Sequence, residues 1–218
     1  MNTPLDEQRE LVVAKFFNQY LEPFFVRELR ETPRTCHLAK SMLLFAALDF
    51  YGKIYRTGLE GFPKKKNGER DYNSFNNSEK NYIYFVKNFF PIEQSCKGII
   101  LYRVFRCGIM HQIVPKGAGV SFIESCNEMF INQSLSNGQN IPVLNLYVLE
   151  KIVVESIYLF RSFLLKDKSD DFVNQISNEL IYKYDGFGDF EKLNGAIRST
   201  PELNNSIVDK CNNNEDIF

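Results

Sequence analysis

The segment Leu101–Pro115, LYRVFRCGIMHQIVP, contains an arginine and a histidine close together in the sequence. Arg106 and His111 are separated by four residues. A histidine can take or give a proton near neutral pH, and an arginine can stabilise the charge that develops on phosphorus oxygens. Because the 2′-hydroxyl of RNA can itself attack the neighbouring phosphate, a base and a cation form a minimal site for cleavage to a 2′,3′-cyclic phosphate and a 5′-hydroxyl. The two residue types therefore predict phosphodiester chemistry that needs no metal.

Other basic and aromatic residues are candidates for binding the substrate. Tyr102 and Arg103 precede Arg106 by four and three residues, so on a helix they lie near its side chain, and Tyr102 can orient its guanidinium. The segment 58–77 is rich in Gly and Asn, lacks a sustained period and carries the basic cluster Lys64, Lys65 and Lys66. A loop of this length is functional or disordered. Phosphate contact and a solvated loop tip are both compatible with this cluster.

The elements that position this motif are predicted to be helices. Apolar spacing and helix-breaking prolines predict helices over 3–21, 24–31, 35–56, 78–90, 91–114, 143–166 and 172–184. Two short runs of strand-forming residues within 117–134 predict a small β-hairpin. We therefore expect a mainly α fold, a helical bundle with a small β-hairpin insertion, over residues 1–184. Residues 185–218 are rich in Gly and Asn and predict a loosely packed tail.

Helix geometry sets a condition on the candidate site. Five positions along a regular helix rotate by roughly 500°, which leaves Arg106 and His111 about 140° apart. Two solutions stay open: the helix loosens or ends near Gly108, or a twofold dimer brings together one pair from each subunit. A structural role is also open, since a histidine at a helix end can bind free carbonyl groups and an arginine among aromatic residues is often packed and paired.

Composition narrows the functional classes. The chain has 218 residues, 44% of them apolar, with 20 Phe and 11 Tyr, which predicts one main domain with an aromatic core. The net charge of −1 provides no overall basic field, so any nucleic-acid contact must come from a local patch. Five widely spaced cysteines and the lack of a signal-peptide pattern or a long uncharged apolar stretch predict reduced thiols in a cytoplasmic protein outside the membrane.

Metal chemistry is the weakest of the sequence hypotheses. With two histidines in the chain, we expect no histidine-based metal site and no cofactor, although carboxylates alone can hold Mg²⁺. Asp49 lies in an apolar helical run without a second acid at helical spacing. Its predicted role is a structural carboxylate that pairs along its own helix with Lys53 or Arg56.

The motif from Arg106 to His111, RCGIMH, resembles the Arg-x4–6-His signature of the HEPN superfamily. These small helical-bundle proteins include metal-independent endoribonucleases and toxins. The resemblance implies that Arg106 and His111 are catalytic, that the active site assembles across a homodimer, and that the substrate is RNA, in a toxin or antiviral defence setting with an antitoxin or other partner protein. In active members the residue after the arginine is often Asn or another polar residue, whereas here it is Cys107. The alternative is a non-catalytic helical module that binds a nucleotide or a protein partner.

Overall fold

Long helices and one small sheet make up the fold. The computed structural model describes residues 17, 18, 22, 25–61, 66, 78–166, 171, 172, 175 and 176. The described part is mainly helical with a three-stranded mixed sheet, which confirms the predicted fold class. No helix in the described ranges has both the length and the apolar character that a membrane span requires.

The motif is preceded along the chain by helices α1 (Arg27–Glu31), α2 (His37–Glu60) and α3 (Ser78–Phe89), and the sheet is followed by α5 (Leu146–Lys166). α2 continues four residues beyond its predicted end, into the segment predicted as a loop. It stops at Gly61, which has a φ of 69°. Glycine tolerates this conformation because it has no Cβ.

The helix that carries the motif, α4, spans residues 95–112 and changes its winding three times. It begins with a 3₁₀ turn, Ser95–Lys97, and a short α segment, Gly98–Ile100. A π-helical segment, Leu101–Arg106, and a final α segment, Cys107–Gln112, follow. A π turn places one more residue in a turn than an α-helix does and is often found at functional sites.

The sheet differs from the predicted hairpin. β1 (Gly119–Ser121) and β2 (Phe130–Ser134) do not pair with each other, because both pair with β3 (Asn140–Asn145). β2 and β3 form the hairpin, whereas β1 runs parallel to β3. The expectation of a hairpin within 117–134 was therefore wrong. The predicted start of the last long helix was also too early, since residues 143–145 belong to β3.

An aromatic core holds α2, α3 and α5 together. The ring of Phe160 on α5 lies 6.0 Å from Tyr51 and Tyr55 on α2, and 5.9 and 5.2 Å from Phe85 and Phe89 on α3, measured between ring centroids. Most of these pairs are edge-to-face, the arrangement that aromatic quadrupoles favour. This core fixes the relative positions of α2 and α3.

Several predicted features lie outside the described residues. These are most of the first 24 residues, most of the loop 58–77, most of the predicted helix 172–184, and the tail 185–218. Of the basic cluster in the loop, Lys66 alone is described, and it is exposed.

Candidate functional site

An ion pair between two helices fixes the side chain of Arg106. Arg106 Nε donates to Oδ2 of Asp49 at 2.8 Å, and Nη2 reaches the same oxygen at 2.7 Å. The two side chains keep 15% and 20% of their exposure, respectively. Asp49 thus binds Arg106 of α4, and not Lys53 or Arg56 of its own helix as the sequence suggested. This contact joins α2 to α4 at the motif.

Tyr102 supports the guanidinium from the other side. Cζ of Arg106 lies 5.3 Å from the centre of the Tyr102 ring, in the position of a cation–π contact, as expected for an orienting role. The Tyr102 hydroxyl shares a hydrogen bond of 2.6 Å with Oγ of Ser78, the first residue of α3. Residues from α2, α3 and α4 therefore fix one arginine, and little freedom remains for its head group.

His111 approaches the outer edge of the same guanidinium. Nη1 of Arg106 lies 3.3 Å from Nε2 of His111, and the histidine is exposed. An arginine has no acceptor, so this hydrogen bond exists only when Nε2 of the histidine carries no proton. In the tautomer that carries its proton on Nδ1, His111 presents an acceptor nitrogen beside a cation at the surface.

A change of direction after His111 sets the end of α4. Ile113 has a φ of 67°, the left-handed conformation that often ends helices, and its N–H binds the carbonyl of Ile109 at 3.1 Å. The chain then returns over Gly108, where a Cβ would lie 2.6 Å from the carbonyl oxygen of Val114. The helix does not end at Gly108, which was one of the solutions that helix geometry left open. The glycine gives room to the returning chain, and the two side chains meet while the helix continues to Gln112.

Burial and the ion pair act in opposite directions on the pKa values of Asp49 and Arg106. Burial raises the pKa of the Asp49 carboxyl above its ordinary value, although the hydrogen bond and charge of Arg106 oppose this change. Burial lowers the pKa of Arg106, but the hydrogen bond and charge of Asp49 outweigh it and the net pKa is raised. A guanidinium keeps its proton in proteins, and its two short contacts to Oδ2 need a charged acceptor for full strength. We therefore describe the pair as ionised at neutral pH.

The other predicted site residues have different surroundings. Arg103 is two-thirds exposed and forms an ion pair of 2.7 Å with Glu79 on α3. Cys107 is half-buried, and its side chain makes the smallest of the contributions that raise the pKa of Arg106. Lys66 is exposed, and its neighbours Lys64 and Lys65 lie outside the described residues. The predicted RNA contacts of these residues and of Tyr102 remain predictions.

Two buried polar residues near the sheet were missed in the sequence. Nζ of Lys40 on α2 is buried and donates to the carbonyl of Leu29 at 2.7 Å and to Glu150 at 2.8 Å. The buried side chain of Asn145 accepts from the N–H of Ile123 and donates to two loop carbonyls. Lysine and asparagine are mostly exposed in proteins, so their identity in a sequence does not predict burial. The one available signal was Lys40 at the edge of the apolar pattern of α2.

Metal ligands do not cluster in the described part of the chain. No group of three or more His, Cys, Asp or Glu side chains that could hold a metal ion occurs there. The four described cysteines, which are Cys36, Cys96, Cys107 and Cys126, are free thiols, as expected.

The chain was compared with models of protein families, with curated proteins and with solved structures. None of them matches it. The likeness to the HEPN superfamily therefore depends on the Arg106 and His111 motif and stays a prediction.

Proposed function

We propose that this protein is a metal-independent endoribonuclease of HEPN type, with Arg106 and His111 as its catalytic residues. The observation that supports this function best is the contact of 3.3 Å between Nη1 of Arg106 and Nε2 of His111 at the protein surface. Because Asp49 binds Nε and Nη2, Nη1 beside the histidine is the nitrogen left to donate to a phosphate.

The geometry suggests how cleavage begins. A phosphodiester oxygen replaces His111 as the acceptor of Nη1, which frees Nε2 of the histidine to take the proton of the 2′-hydroxyl. The hydroxyl oxygen then attacks the phosphorus, and the guanidinium stabilises the negative charge on the nonbridging oxygens. The bond to the 5′-oxygen breaks, which leaves a 2′,3′-cyclic phosphate and, once protonated, a 5′-hydroxyl. In a homodimer, the second His111 can give that proton.

The rigid hold on Arg106 suits this role. A charge that is already oriented before substrate binds needs no reorganisation in the transition state, and this is the main source of electrostatic catalysis. Asp49 and Tyr102 supply the orientation.

A second candidate function is a non-catalytic module that binds a nucleotide or a protein partner. The same ion pair favours it, because Arg106 is 15% exposed and has an internal partner for two of its nitrogens. In this case Arg106 and Asp49 join α2 to α4, and His111 is a surface residue. The two functions differ in whether His111 is needed for turnover.

The test is incubation of purified protein with mixed RNAs in EDTA, followed by gel electrophoresis and analysis of the product ends. We expect wild-type protein to produce 2′,3′-cyclic phosphate ends, and His111→Ala to lose activity on the order of 10²–10⁴-fold because the proton transfer is lost. His37→Ala, which removes the other histidine at the start of α2, is the matched control and should cut normally. Normal cleavage by His111→Ala, or dependence on a divalent metal, would exclude the proposal. Nucleotide binding that needs Arg106 without any turnover would favour the second function.

A further inference from the structure

Two polar atoms near the ion pair are buried and have no hydrogen-bond partner among the residues that the structure describes. The first is Oδ1 of Asp49, the carboxylate oxygen that Arg106 does not use. The second is the hydroxyl of Tyr82 on α3, whose side chain is fully buried. Buried polar groups are nearly always hydrogen-bonded, because their loss of hydration must be compensated. Two such atoms near one another need an explanation.

The ring of Tyr82 packs against residues of α2 and α4 that lie close to Asp49 and Arg106. Its ring lies 6.4 Å from that of Phe45, one helical turn before Asp49 on α2. It lies 5.6 Å from the ring of Tyr102, which carries Arg106 on its face. Tyr82 therefore packs against the two helices that the ion pair joins, about one turn before Asp49 on α2 and one turn before Arg106 on α4.

Electrostatic coupling agrees with this placement. Burial raises the pKa of the Tyr82 hydroxyl well above its ordinary value, the charge of Asp49 raises it further, and Arg106 lowers it. Both members of the ion pair thus act on the hydroxyl.

The two atoms complement each other chemically. A phenol hydroxyl is a donor and a carboxylate oxygen is an acceptor, yet the two do not form a direct hydrogen bond. A buried water typically makes hydrogen bonds to two to four polar groups that otherwise have no partner. One water between these atoms can accept from the tyrosine and donate to the carboxylate.

We propose that Tyr82 is a positioning residue, whose hydroxyl binds Oδ1 of Asp49 through one buried water and so fixes the carboxylate that orients Arg106. The consequence for catalysis depends on the proposed ribonuclease function, whereas the water and its effect on Arg106 do not. Tyr82 does not touch substrate and acts through Asp49.

The test compares Tyr82→Phe with Tyr55→Phe, which removes a hydroxyl from another buried tyrosine of the aromatic core. The main measurement is the hydrogen-exchange rate of the Arg106 Nε–H by NMR, with the signal assigned by its loss in Arg106→Lys. We expect Tyr82→Phe to raise this rate several-fold and Tyr55→Phe to leave it unchanged. Each tyrosine variant is then combined with Asp49→Asn. We expect Tyr82→Phe to lower the melting temperature less in the Asp49→Asn background than in the wild type.

A crystal structure at high resolution gives the direct observation. We expect a water bound to both atoms in the wild type and absent from Tyr82→Phe. If the wild type cuts RNA, Tyr82→Phe should lower kcat on the order of ten-fold and leave KM unchanged, because the displaced Arg106 acts on the transition state. If the wild type cuts no RNA, the proposed function fails while the exchange rate and the crystal structure still decide this inference. Equal Arg106 exchange in Tyr82→Phe and wild type, or a crystal structure without the bridging water, would overturn it.

Discussion

Removal of the Asp49 charge is the most direct test of how the site is held. Asp49→Asn keeps the size of the side chain, but it replaces the charged acceptor of Arg106 by a neutral amide. The guanidinium keeps its charge, so it remains in a largely buried position without its counter-ion. The variant should therefore lose stability through Arg106.

The expected magnitude follows from the exposure of the pair. Removal of one partner from a fully buried pair typically costs about 3–5 kcal/mol, whereas exposed pairs contribute about 0.2–1 kcal/mol. With 15% and 20% of the two side chains exposed, we expect an intermediate loss, about 2 kcal/mol in the free energy of unfolding. For a chain of this size that corresponds to a fall of about 4–8 °C in Tm.

Thermal and urea unfolding measure this loss, and a second ion pair gives the control. Arg103 and Glu79 also join α4 to α3 at 2.7 Å, but their side chains are 66% and 31% exposed. We expect Glu79→Gln to cost less than about 1 kcal/mol and to lose most of its effect in 1 M NaCl, where exposed charges are screened. The effect of Asp49→Asn should persist in salt. An equal cost for the two variants would refute the inference that burial makes the Arg106 pair stronger.

Three further predictions concern the surroundings of the site. Gly108→Ala should cost about 1–3 kcal/mol, because its Cβ would meet backbone atoms of the returning chain, with the closest contact of 2.6 Å at Val114. Urea unfolding should show a smaller loss for Gly98→Ala on the same helix, where the nearest atoms lie 3.4 Å from an added Cβ. Asn145→Ala should cost about 2–4 kcal/mol in the same assay, since it leaves loop N–H and C=O groups without partners. A loss of less than about 0.5 kcal/mol, which is usual for an exposed side chain, would contradict the role assigned to Asn145. Burial raises the pKa of Glu60, but hydrogen bonds from two basic side chains outweigh this effect, and the net pKa is lowered. The ionised Glu60 therefore stabilises the fold above the unfolded pKa of about 4.3. This stabilisation is lost as pH falls through the lower pKa of the folded state. The Tm difference between wild type and Glu60→Gln should shrink between pH 6 and pH 3, and a constant difference would contradict the assignment.

Local patterns predicted the helices well because helix formation is a local property. The bounds of α3 agree with the predicted 78–90 to within one residue, since Phe89 is followed by a helix-breaking Pro91 two positions on. The end of α2 was missed because Thr57 and Gly58 look like a break, although both are buried against other elements. Tertiary packing overrides local propensity at such positions.

The sheet and the ion pair could not be read from neighbouring residues. β3 contains Pro142, which argues against a central strand, but β1 pairs with β3 only from Val143 onward. Pro142 therefore faces a strand on one side alone. Asp49 and Arg106 are 57 positions apart, so the rule for neighbours on one helix led to the wrong partners. The motif itself was visible, while the acid that holds it was not.

The π-helical segment Leu101–Arg106 gives α4 one residue more than a regular α-helix of the same path would hold. Deletion of one residue there would allow α4 to continue as a regular α-helix, so the fold could survive the change. A π-helical segment accommodates one residue more than the α-helix around it, so removal of that residue would leave the segments before and after it facing as they do now. If the deleted residue lies between Tyr102 and Arg106, these two are then three positions apart, a spacing at which side chains still share a helix face. A homologue that is one residue shorter in this segment should therefore still carry both motif residues on the same side of the fold.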